Sequence, residues 1–129
     1  MSQTTRIEFE RLIAGNFHQH KNELNLASPT FQEDGFITTA TMTGSGGRVE
    51  ILCGPAEYHA EVFITTTKGQ KQWSLSDLMT IESVRLWMHQ DFPSTAGRSR
   101  LEAEIERAFD LIVDGLNGVA EFEWLRCRT

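Results

Sequence analysis

The sequence predicts an α+β domain, with an antiparallel sheet of about four strands flanked by an N-terminal helix and a long C-terminal helix. Between Gly35 and Trp73, apolar and polar residues alternate at period two in short runs broken by turn residues. Ahead of that stretch, Phe9, Leu12, Ile13 and Phe17 fall at helical spacing. Behind it, Leu101, Ile105, Ala108, Phe109, Ile112 and Leu116 recur at steps of three and four. At 129 residues the chain is expected to form a single domain, 1–129, large enough to bury one core without staples.

The first helix is predicted from about Thr5 to His20, with Glu8, Glu10, Arg11 and Gln19 on its polar side. Gly15-Asn16 interrupts the pattern and is expected to shorten or kink it. Asn22 to Pro29 reads as a connector with a short extended piece at Leu24 to Leu26. The strands are predicted at Phe36 to Thr43, Arg48 to Cys53, Tyr58 to Thr66 and Gln70 to Trp73. Gly44-Ser45-Gly46-Gly47, Gly54-Pro55 and Thr67-Lys68-Gly69 are the turns, short enough for hairpins. Ala40, Met42, Val49, Ile51, Val62 and Ile64 fall on the more apolar faces, which predicts one packed side and one wet side.

Ser74, with Asp77 three residues on, is a helix-opening signature, and a helical turn or two is expected to about Ile81. Glu82 to His89 is predicted helical, and Phe92-Pro93 breaks it. The long helix is predicted from Ser94 or Thr95 to Leu116. Val119 to Arg126 is read as helix, with a strand as the open alternative. The predicted core includes Phe9, Ile13, Ile51, Val62, Ile64, Ile105, Phe109 and Ile112.

A net charge of −6 argues against direct nucleic-acid binding, which needs Lys and Arg for phosphates, and suits a basic protein partner. No apolar run reaches the ~18 residues of a membrane span. The polar start Met1-Ser2-Gln3-Thr4-Thr5-Arg6 has no signal-peptide core, so a cytoplasmic location is expected. Cys53 and Cys127 are expected as reduced thiols.

Catalytic signatures are missing. Gly44-Ser45-Gly46-Gly47 lacks the Lys-Ser/Thr ending of a phosphate loop and joins two strands, so a flexible hairpin is expected. His18 and His20, two apart on a helix, cannot both reach one metal ion. No metal, cofactor or enzymatic activity is therefore expected. His59 and Glu61 share one face of a strand, with Glu50 expected beside them. That trio would suit acid–base work in a cleft, or ordinary cross-strand pairing on a solvated face. Glu102, Glu106, Asp110 and Asp114 are spaced by four, which places them in one row along the long helix. The row is either a contact for a basic partner or a solvated helix back. Trp87, in Trp87-Met88-His89-Gln90-Asp91-Phe92, mixes with polar residues in a way that suits a binding edge.

The layout resembles small bacterial immunity proteins of contact-dependent growth inhibition and related polymorphic toxin systems. The resemblance is carried by the helix around Ile7-Glu8-Phe9-Glu10-Arg11-Leu12-Ile13, the strand run, the Trp73-Ser74-Leu75-Ser76-Asp77-Leu78-Met79 transition and the acidic helix. It covers most of the chain as an arrangement of elements and assigns no residue a role. It implies a cytoplasmic inhibitor that binds one cognate toxin domain, often a nuclease, and blocks its active or substrate-binding surface. The alternatives are a small enzyme or ligand-binding domain using the face around His59 and Glu61, or a homodimeric secretion chaperone or adaptor.

Overall fold

A computed structural model describes residues 3–54, 60–90, 97 and 99–127. It opens with helix α1, Gln3–His20. Phe9, Leu12, Ile13 and Phe17 are its buried stripe. The break expected at Gly15-Asn16 does not occur. Gly15 faces open space, and the Asn16 side-chain amide donates back to the Leu12 carbonyl at 2.9 Å, so both are tolerated within the helix.

Among the described residues five strands follow, one more than expected: β1 (Thr30–Asp34), β2 (Ile37–Gly44), β3 (Gly47–Cys53), β4 (Ala60–Thr66) and β5 (Lys71–Trp73). They form an antiparallel meander in chain order. The register aligns Ala40 with Ile51 and Val62, and Met42 with Val49, Ile64 and Trp73. These residues are all buried on one face, which is the packed side the alternation predicted. The extended piece at Leu24 to Leu26 forms two isolated bridges, Leu24 with Arg126 and Leu26 with Gly44.

The glycine run forms the expected hairpin between β2 and β3, with Gly44 opposite Gly47, and its glycines are also closely packed. A Cβ on Gly47 would run into the Thr65 carbonyl oxygen, and one on Gly46 would overlap the Trp124 ring. Glycine is needed here because the Thr65 backbone and the Trp124 side chain both press against the turn.

Ser74 caps α2 (Leu75–Leu78) in a reciprocal box with Asp77, as its spacing predicted. The Asp77 carboxylate accepts from the Ser74 N–H at 2.9 Å and from its hydroxyl at 3.0 Å, and it is held below its ordinary pKa chiefly by the backbone bond. Helix α3 spans Glu82–Met88. The long helix is shorter than expected. α4 runs Arg100–Asp110 from an N-cap at Ser99, then widens into a π turn over Leu111–Gly115, where the Leu116 N–H reaches the Leu111 carbonyl at 2.9 Å. The predicted start at Ser94 or Thr95 lies outside the described residues, as do Phe92-Pro93 and Tyr58. Val119 to Arg126 contains a 3-10 helix, Ala120–Leu125, rather than a strand. Its Phe122 meets Trp73 edge-on, with ring centroids 5.3 Å apart.

All eight predicted core residues are buried, in one cluster that joins α1, the inner sheet face, α4, the π turn and the 3-10 helix. Cys53 is buried in that cluster, while Cys127 is exposed and donates its thiol to the Leu24 carbonyl at 3.1 Å; no disulfide joins them. No helix among the described residues is long and apolar enough to cross a membrane.

Candidate functional site

Strand alternation sends a second set of side chains to the opposite side of the sheet. Register places Gln32, Thr39, Leu52 and Glu61 in one row across it, and Thr30, Thr41, Glu50 and Phe63 in the next. Glu50 and Glu61 are therefore diagonal neighbours on adjacent strands, at a spacing of roughly 7–8 Å for such pairs. Arg48 reaches Glu50, Nε to Oε1 at 3.0 Å. Leu52 and Phe63 are half-buried, yet neither belongs to the core cluster nor packs against it. Phe36, 69% exposed, and Ile37 extend the apolar character to the β1–β2 turn. The arrangement is a shallow surface of two apolar side chains between threonines, edged by two acids. Such a surface suits recognition of a protein surface with basic groups.

The sequence placed Glu50 and Glu61 together, and the register does bring them to one face. His59, the third member, lies outside the described residues. Leu52 and Phe63 were not singled out. Their signal was available, because both interrupt the polar phase of their strands.

The acid row on α4 is less regular than its spacing suggested. Glu102, Glu106 and Asp110 are half-buried, and Glu106 and Asp110 both have interaction partners. Asp114 is exposed but sits in the π turn, where a turn takes more residues, so it is not the next step of that row. Trp87 is half-buried, and its ring lies against Gly115, where a Cβ would come within 2.9 Å of it. Just before it, Leu86 is exposed, at 62%.

Of the two helix-end histidines, His18 is exposed, but His20 is not a free surface group. Its ring stacks on Phe109 with centroids 6.2 Å apart, and Nδ1 lies 3.9 Å from Glu23. Among the described residues, no three His, Cys, Asp or Glu side chains gather as a metal site.

One further concavity was not anticipated. A groove of about 580 Å³ runs between β4 and α4, with Leu75 and Met88 at its sides. Ala60, Val62, Ala103, Ala108 and Leu111 line it, and among the described residues Arg100, Glu104 and Arg107 are the charged groups along it.

No family model matches this chain, and no curated protein or solved structure matches it either.

Proposed function

We propose that this chain is a non-enzymatic immunity protein that acts in the cytoplasm, binding a cognate toxin domain of basic, nuclease type and occluding its active or substrate-binding surface. The observation that carries the reading is the outer sheet face, where the half-buried Leu52 and Phe63 lie outside the core cluster, between Glu50 and Glu61, in a chain of net charge −6. The helices pack on the other side, so this face has no part in holding the core. Its acids would sit where the toxin holds phosphates, and its apolar pair would slow dissociation. The half-buried row of Glu102, Glu106 and Asp110 is the second contact candidate, with Trp87 serving to position the helix end.

The experiment is co-purification with the product of the adjacent gene, followed by binding kinetics across a salt series. Screening shrinks from about 10 Å at 0.1 M to about 3 Å at 1 M, so association should slow as salt rises while dissociation changes little. Charge reversal at Glu50 and Glu61 should weaken protection more than reversal at Glu102, Glu106 and Asp110. Absence of micromolar affinity for that gene product would sink the assignment.

A further inference from the structure

The apolar residues of the outer sheet face fall on one line. Thr39, Leu52 and Glu61 share a row across β2, β3 and β4, and Thr41, Glu50 and Phe63 share the next. One row the other way, Ile37 stands two residues before Thr39 and opposite Asp34 of β1. Ile37 is therefore the diagonal neighbour of Leu52, and Leu52 is the diagonal neighbour of Phe63. The three make a single oblique stripe over three strands. Ile37 is 37% exposed, and Phe36 in the turn before it is 69% exposed. Thr39 and Glu50 run along one side of the stripe, and Gly54 and Glu61 along the other. Gly54 leaves the flank of Ile37 open, since an added Cβ would still lie 3.9 Å from it.

β2 and β3 are paired on both edges here. An occupant of this face finds no strand edge to join, so it must arrive with its own backbone groups satisfied. A helix or a second sheet meets that condition. A second sheet needs a broad apolar face, whereas Thr39, Thr41 and Thr43 hold the other outer positions of β2. A helix presents a stripe. Two diagonal steps of roughly 7–8 Å make the stripe about 15 Å long, which is about three helical turns. Charge favours the same occupant. Glu50 and Glu61 flank the stripe on opposite sides, and the exposed Asp34 stands at its β2 end. Arg48 engages Oε1 of Glu50 at 3.0 Å. In a chain of net charge −6, the complement is a helix with Lys or Arg beside its apolar residues.

We infer that the stripe seats an amphipathic helix of the partner, about three turns long, with apolar residues at helical spacing against Ile37, Leu52 and Phe63 and basic residues on its flanks. This rests on the outer face being the toxin-binding surface, and it names the element of the toxin that the face takes. Because Asp34 stands at one end only, a base set against it fixes which way the helix runs.

The test is selection of a displayed library of stapled single helices, randomised on one face, against the intact chain. The strongest binder is then synthesised. Enriched helices should carry apolar residues three and four apart, flanked by Lys or Arg, and a proline at the centre of the binder should abolish binding. Phe63→Asp should weaken the binder roughly thirtyfold, the scale of a buried aromatic anchor. Asp34→Lys should weaken it about threefold, the scale of an exposed ion pair. If Phe63→Asp fails to fold by circular dichroism, the exposed Ile37→Asp and Asp34→Lys carry the test. No enrichment, or a binder indifferent to every one of these substitutions, would overturn the inference. So would a dimer in solution that Ile37→Asp dissociates, since the stripe would then belong to a second copy. Toxin binding is measured on the same variants. A toxin that binds them all as well as the unaltered chain overturns the helix site and leaves immunity to another surface. Selected helices on the stripe without any toxin affinity would keep the helix site and sink the immunity reading.

Discussion

Ile64 and Phe63 are neighbours on β4 that face opposite sides of one sheet. Ile64 is fully buried, in a row with Met42, Val49 and Trp73. Phe63 is half-buried beside Glu50 and Thr41, with no place in the core cluster. The inner face is constrained by what the helices bring to it, so its residues are apolar apart from the buried Thr38 and Thr66. The outer face needs only to keep strands extended, and threonine does that through its branched Cβ. Leu52 and Phe63 are therefore surplus to folding, and surplus apolar surface next to charge is where binding has room to operate.

The largest expected effect comes from placing a charge on the inner side of this comparison. Ile64→Asp or Phe109→Asp should abolish the cooperative unfolding transition, because both side chains are fully buried and an unpaired buried charge is very costly. Circular dichroism melts check this, and normal stability in either variant would mean that the cluster is not the core. Gly47→Ala should come next, at about 3 kcal/mol in denaturant unfolding, since its Cβ would press on the Thr65 carbonyl and the Trp124 ring. Phe63→Asp should cost about 1 kcal/mol, the scale of strand propensity, while markedly weakening partner binding. A loss as large as that of Ile64→Asp would show that the outer face also supports the fold. Gly15→Ala should change the sign, stabilising by about 0.5–1 kcal/mol, because Gly15 lies in a helix facing open space.

The inner face was legible because alternation over β2, β3 and β4 is strong, and the α1 and α4 stripes keep helical spacing. β1 escaped notice because Thr30–Asp34 holds a single large apolar residue, Phe31, among polar ones. It is an edge strand, held by pairing with β2 and by an Arg6–Glu33 ion pair from α1, and neither can be read from local pattern. The π turn escaped because its Leu111, Ile112 and Val113 would also continue a helical stripe; the buried Gly115, seated under Trp87, was the hint. Glu50 and Glu61 were placed together correctly, because strand parity is enough to set the face. β4 is seven residues and β5 only three, stopped by a Ser74 cap that the sequence did show.

That same cap gives the smallest prediction, and it tests whether the helix layer and the outer face are independent. Asp77 is held below its ordinary pKa of 3.8 first by the Ser74 backbone bond, then by the Ser74 hydroxyl, with Lys71 contributing less. A carboxyl whose folded pKa is depressed adds stability above its unfolded pKa and loses it as pH falls through the folded value. The carboxylate is exposed, so the contribution is small. Asp77→Asn, which removes the charge and keeps the shape, should lower the melting temperature slightly at neutral pH. The gap to the unaltered chain should close as pH drops through and below 3.8. A gap that stays constant into strong acid would mean that the substitution acts through shape and not through the charged cap. Binding at the Glu50 and Glu61 face should be unchanged in this variant at neutral pH. α2 packs through Leu78 into the core cluster, so loosening its first turn disturbs the inner layer and leaves the outer residues where β3 and β4 hold them.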